Sequence, residues 1–300
     1  METKRHETSG KIYLVITAIL WSTAGVCAKF IPWNALSISC FRGGVGALVM
    51  LLLAKKPRIR FTLHNLLGTC AILGSTVLFL CANKLTTAAN AIVLQYISPI
   101  IVLLYTTIVK KKKPTIFELA IVAAVLLGCV LAFADKLDAG HLLGNLLGLA
   151  SGVSFAALIL INRDPKTNAQ ECQLLAHLTS FVLFLPFLLF DSKVTFNLPV
   201  ISVALYLGIF QHGLASFLFS IGIKRTSSVT ASILFVLEPI CSPIWVFLFL
   251  GEIPGSLAIA GFIVVVLSVT VYTLLPPLLK RPGLCRSEER RVGKECRSRW

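Results

Sequence analysis

Stretches of about 20 apolar residues follow one another along this 300-residue chain, parted only by short polar links. Twenty residues of α-helix span the hydrocarbon core of a bilayer. Inside that core every backbone N–H and C=O must be paired within the structure, which leaves helices and closed barrels as the only spanning forms. Runs this long and this continuously apolar are helices. They fall at 11–31, 35–54, 65–83, 87–109, 115–134, 142–162, 172–190, 199–223, 227–250 and 255–275, which predicts an all-α integral membrane protein with ten transmembrane helices. With 56% hydrophobic and only 14% charged residues, a soluble globular domain is excluded.

The net charge of +15 does not indicate nucleic acid, because the Lys and Arg residues sit in short clusters between spans. A positive-inside bias explains them better. Of the nine cysteines, six lie inside spans and a seventh, Cys172, opens one, and no C-x-x-C or Cys/His cluster has metal spacing, so neither metal nor cofactor is expected. The first run is too long for a signal-peptide core and lacks a small-residue cleavage site.

The ninth run, SSVTASILFVLEPICSPIWVFLFL, carries a carboxylate and two prolines near its middle. An ionisable group at that depth costs at least ~2.5 kcal/mol, so Glu238 reads as functional. Pro239 cannot donate to the carbonyl of Phe235, and Pro243 leaves that of Pro239 free, so bare acceptors face any adjoining cavity. The run also has a counterpart 140 positions earlier: Pro239 falls on Pro99, Lys224 on Lys84, Thr226 on Thr86 and Pro254 on Pro114, without a gap. Internal symmetry of this kind marks a transporter made of two related halves. Five spans in each half place the second copy upside down relative to the first.

This divides the chain into a polar lead (1–10), a first repeat (11–134), a junction loop (135–141), a second repeat (142–275) and a tail (276–300). Residues 285–300 are densely charged, break the two-fold pattern, and read as appended non-native sequence. The basic clusters, including Lys110–Lys113 and the pair Lys224 and Arg225, favour one face, which predicts cytoplasmic N- and C-termini.

Leu237-Glu238-Pro239 in the ninth span, Leu250-Gly251-Glu252 at its end, Arg42 in the second span and Trp21 in the first resemble the EamA domains of the drug/metabolite transporter superfamily. The resemblance covers roughly 11–275. It implies an inner-membrane carrier in a bacterial-type plasma membrane, working by alternating access on small metabolites, amino acids, amines or drugs. The first half departs from the pattern, with Lys112 in place of the Glu of "LGE" and Ser98 in place of Glu238.

Glu238 is the one acid deep in any span, and it is expected to bind a proton or a substrate amine. Ser242 and Trp245 follow on the same helical face, and Gln95, Ser98 and Tyr105 make the matching stripe on the fourth span. Together with Trp21 and His212 they would wall a cavity for small amphipathic ligands. The alternative for each is helix packing with interhelical hydrogen bonds. Arg42 could hold a substrate carboxylate or brace the structure by reaching headgroups or freed carbonyls. His177 and Gln211 are polar enough to line a path. Pro99, Pro239 and Pro243 are the expected helix breaks. The glycines at 43, 44 and 46 and at 144, 148 and 152 permit close helix contact, which does not by itself choose between monomer and homodimer.

A membrane enzyme would need acids, histidines or metal ligands clustered at one membrane face, and a P-loop would be needed for ATP-driven transport; the sequence has neither. A receptor or scaffold would not require proline breaks at matching depth in both halves. The expected partners are therefore a small-molecule substrate and the lipid bilayer, with protons or sodium as candidate coupling ions. An uncoupled facilitator remains the alternative within transport.

Overall fold

In the computed structural model, residues 2–54, 59–86, 88–111, 113–134, 141–251 and 255–274 are described. Lys112, the junction at 135–140, Glu252, Pro254 and the tail from 275, including the charged segment 285–300, lie outside the described residues. No strand occurs among the described residues.

The helices are α1 (Glu2–Ser22), α2 (Ala24–Phe30), α3 (Ala35–Leu53), α4 (Leu63–Leu85), α5 (Ala88–Gln95), α6 (Ser98–Ile108) and α7 (Ile116–Phe133), then α8 (Leu142–Arg163) and α9 (Ala169–Phe190). They continue as α10 (Leu198–Tyr206), a π-helical segment Leu207–Leu214, α11 (Ala215–Arg225), α12 (Ser228–Phe235), α13 (Leu237–Leu250) and α14 (Ser256–Leu274). Among the described residues seven stretches are long and apolar enough to cross a bilayer, with Ile116–Ala132 and Ser256–Tyr272 as shorter apolar helices.

Polar side chains at the helix starts satisfy the first orphan amides. Asn34 accepts from Leu36 and Ser37, Asn168 from Gln170 and Glu171, and Thr115 with Glu118 forms a reciprocal capping box. α13 ends on Gly251 at φ 71°, a left-handed conformation that favours glycine. The polar lead does not stay separate: α1 begins at Glu2, Lys11 pairs with Glu7 at 3.2 Å, and Arg225 bonds Ser9 at 3.1 Å. Gly10 allows this approach, since a Cβ there would meet that of Arg225 at 2.6 Å.

α3 packs mainly on α9 and the π-helical segment, α4 on α8 and α9, α1 on α11, and α7 on α14. Pairing α1 with α8, α3 with α9, α4 with α10–α11, and α7 with α14 maps this set of contacts onto itself. Small residues make the contacts close. Along α8 a Cβ on Gly144 would strike the Leu85 backbone at 2.6 Å, and one on Gly152 would strike the carbonyl oxygens of Leu94 and Gln95 at 2.7 and 2.9 Å. The glycines of α3 serve packing too: Gly43 abuts the His177 carbonyl and Gly46 the His212 ring. Outward faces leave large apolar side chains uncovered, as at Leu52 (76% exposed), Ile116 (86%) and Phe190 (86%). Such a belt suits lipid, not water.

Two rods are broken near their middle. α5 stops at Gln95 and α6 starts at Ser98 with Pro99 in its first turn; α12 stops at Phe235 and α13 starts at Leu237 with Pro239 in its first turn. Each proline lacks the N–H that would bond the carbonyl four residues back, so the ladder opens there. Pro243 departs from expectation: α13 runs on through it to Leu250. A single missing N–H one turn inside an established helix leaves the neighbouring hydrogen bonds to carry it. Pro186 sits inside α9 in the same way.

Candidate functional site

A cavity of about 550 Å³ lies at the level of these breaks. Its volume is in the range of ligand sites, and its walls are mostly apolar with a few polar groups. Glu238 lines it from the first turn of α13, where the helix N-terminus favours a negative charge. Its Oε2 accepts a hydrogen bond from the Tyr96 hydroxyl at 2.7 Å. Tyr96, only 3% exposed, sits in the α5–α6 break, so the two proline-broken rods meet through this bond.

Aromatic rings fix the acid's surroundings. Trp21 stacks on Phe235 and Phe219 with centroids 5.3 and 5.7 Å apart, and Phe155 packs edge-on to both Tyr96 and Phe235 at 5.8 Å. Aromatic pairs of this geometry each contribute about 0.5–1.5 kcal/mol beyond their burial. The rigid wall they form holds the carboxylate in place.

A second polar group lines the same cavity from other elements. Arg42 comes from α3, Gln173 from α9, and Gln211 and His212 from the π-helical segment. The His212 ring lies 4.1 Å, centroid to centroid, from that of His177. π-Helical turns inside α-helical rods occur often at functional positions.

Eight of the fourteen residues singled out in the sequence line the cavity: Glu238, Ser242, Gln95, Trp21, Arg42, Gln211, His212 and Pro239. Trp245 does not. Its indole N–H is turned to the Ser22 hydroxyl at 2.8 Å, tying α13 to the end of α1. Tyr105 lies on α6 below the break, and Ser98 is fully buried with its hydroxyl unpartnered, so neither lines the wall. Nor does Pro99, which shapes the rod. The predicted stripe on the fourth span fails because the break at Tyr96–Ile97 turns α6 away from the register of α5. Tyr96 and Gln173 were not foreseen. Tyr96 stands three residues before Pro99, but its counterpart in the second half is Val236, so a search for matched residues passes over it.

Several charged side chains at the two ends of the bundle are paired, although Asn162 Oδ1 and Thr167 Oγ1 at the end bearing Lys224 are buried without a partner among the described residues. At the end bearing Lys224, Glu171 accepts from the Asn65 amide at 2.7 Å, from Asn168 at 2.9 Å and from the backbone N–H of Arg60 at 3.2 Å. Lys224 donates to the carbonyls of Asp164 and Thr167, and Arg163 to that of Thr226 at 2.6 Å. At the other end Asp191 accepts from Asn34 N–H at 2.9 Å, Lys193 N–H at 3.0 Å and the Ser37 hydroxyl at 3.1 Å. Those donors, Asn34 first, hold its carboxyl below the ordinary range.

The sequence pattern of the EamA-like transporter family matches residues 8–134 and again 142–274. The chain belongs to that family. Similar proteins agree with the membership. "Uncharacterized transporter YwfM" of Bacillus subtilis (strain 168) is 24% identical over 278 residues, spanning 88% of this chain and 94% of the relative. An "Uncharacterized transporter" of Archaeoglobus fulgidus is 24% identical, covering 85% of this chain and 95% of its own length. A solved crystal structure superposes on this EamA-like transporter with a TM-score of 0.79 at 19% identity, over 91% of this chain and 99% of the other, which establishes a shared fold. This EamA-like transporter is thus a multi-pass membrane protein whose partners are a small molecule and the bilayer.

Proposed function

We propose that this transporter is a secondary carrier that exports small metabolites, amino acids, amines or drugs, across a plasma membrane by alternating access. Two halves, 11–134 and 142–275, cross five times each in opposite orientation, with both termini cytoplasmic. The contact pattern that survives exchange of the halves and the paired proline breaks support this arrangement. Glu238 takes either a proton or the cargo's amine.

The observation that carries the reading is the 550 Å³ cavity between the broken rods, in which Glu238 has a single hydrogen-bond partner among the described residues, Tyr96. A carboxylate held at that depth by one hydroxyl keeps acceptor capacity for a visiting cation.

The test is flux of labelled amino acids, amines and sugars in proteoliposomes, with and without a pH gradient. Saturable flux of at least one class is expected, accelerated by the gradient and reduced to background by Glu238→Gln. Flux indifferent to the gradient would make the protein a facilitator, and no flux of any class would end the carrier reading.

A further inference from the structure

The rod formed by α1 and α2 is interrupted at Thr23, where no proline accounts for it. In an unbroken α-helix the Thr23 amide would bond the carbonyl of Ile19. Here that carbonyl accepts from the Ser22 hydroxyl at 2.6 Å, and Thr23 turns to the Leu20 carbonyl with both its N–H, at 3.3 Å, and its hydroxyl, at 2.7 Å. Back-bonding of this kind does not by itself break a helix in this protein. Ser151 donates to the Gly148 carbonyl at 2.7 Å inside α8, the counterpart of α1, and α8 runs uninterrupted from Leu142 to Arg163. What α1 has in addition is a partner from outside: the Trp245 indole N–H, donating to the Ser22 hydroxyl at 2.8 Å.

The interruption lies on the cavity wall, which Trp21, Ser22 and Ala24 all line. Beyond it, α2 leads into an apolar cluster in which Ile31 and Trp33 are buried with Val200, Ala204 and Leu207, and Cys27, Leu188 and Val194 pack against them. Leu207 and Ile38, which also touches the cluster, line the cavity as well. The cluster therefore stands between the cavity and the end of the bundle bearing Asp191. α2 crosses it as a strap. Its far end is fixed where the Asn34 N–H donates to Asp191 at 2.9 Å, and its near end where Trp245 holds Ser22. Trp245 follows Glu238 by seven residues on one face of α13, so a displacement of the acid reaches the interruption through two turns of a single helix.

We infer that α2 is a gate over the Asp191 end of the cavity, hinged at Ser22–Thr23 and held shut by the bond between Trp245 and Ser22. The inference rests on the carrier reading and names the element that opens one end. A seven-residue helix bounded by two non-helical points moves as a rigid piece, with the φ/ψ changes confined to its ends. Release of Ser22 lets α2 swing off Leu207 and opens the cluster to the cavity. α8 has no such joint, so it offers no matching gate at the end bearing Lys224.

Cys27, half-buried on α2 against the cluster, is a built-in reporter, and Cys172, fully buried at the end bearing Lys224, is the reference. The rate at which a charged methanethiosulfonate modifies each is measured on the purified full chain in nanodiscs, without cargo, by non-reducing peptide mass spectrometry. Trp245→Phe keeps a ring and removes the N–H. It is expected to raise the Cys27 rate about fivefold, the scale of one buried hydrogen bond, and to leave Cys172 unchanged. In Ser22→Ala, which has no hydroxyl to receive the indole, Trp245→Phe should add nothing. A bond that only stabilises the fold would speed both cysteines together, and that result overturns the gate. So does an unchanged Cys27 rate in Trp245→Phe, or an effect of the same size with and without the Ser22 hydroxyl. The assay contains no substrate, so its failure leaves the carrier reading to the flux panel, and a silent flux panel leaves these two rates untouched.

Discussion

The α5–α6 and α12–α13 rods are near copies in backbone and opposites in chemistry. Ile97 before α6 has φ −68° and ψ −12°, and Val236 before α13 has φ −64° and ψ −13°. Each helix resumes with a proline in its first turn. Yet the second break presents a carboxylate to the cavity while the first presents a phenol, and Ser98, the register mate of Glu238, is shut away from the cavity. Proline fixes where a helix opens; the side chains beside the opening decide what it does. Duplication supplied two openings, and the acid occupies one.

Moving the acid tests that asymmetry most severely. Glu238→Ser combined with Ser98→Glu keeps the composition but buries the charge where no cavity wall receives it, so transport should fall to background. Recovery of flux would show that the halves are interchangeable. Next in size is Gly152→Ala, which pushes a methyl into the carbonyls of Leu94 and Gln95 at the first break. A loss of about 1–3 kcal/mol is expected in detergent melting curves. An unchanged melting temperature would mean that the first break is loose. Tyr96→Phe removes the bond that joins the two rods and should cost about 1 kcal/mol of substrate binding, near the value of a buried hydrogen bond, with the fold retained. The smallest effect is expected far from both breaks. Asp191 has a depressed carboxyl pKa, so its tie to the start of α3 stabilises the protein at neutral pH and is lost as pH falls through the folded value. Asp191→Asn should lessen the drop in melting temperature on acidification without altering transport at neutral pH.

Much of the fold was legible because apolar runs of this length have few alternatives in a membrane, and the ends of α3, α8 and α9 fall within three residues of the expected limits. The proline breaks were legible for an equally local reason, a missing N–H. The break between α1 and α2 was not, since no proline marks it. There the hydroxyls of Ser22 and Thr23 bond the carbonyls of Ile19 and Leu20 at 2.6 and 2.7 Å, a competition that the sequence leaves undecided. The site was half legible. Glu238 stood out by depth alone, whereas its partner Tyr96 lies 142 residues away and reaches it only after folding. Trp245 shares a face with Glu238 in an ideal helix but is claimed by Ser22. That no described carboxylate pairs with Arg42 is likewise a property of assembled space.

The π-helical segment Leu207–Leu214 affects how related carriers can be aligned with this one. Its wider turns bond i to i+5, so a helical wheel drawn at the usual pitch through α10 slips out of phase before it reaches α11. Positions transferred by counting from Leu198 will land on the wrong side of the rod beyond Leu214, and the count has to be restarted at Ala215.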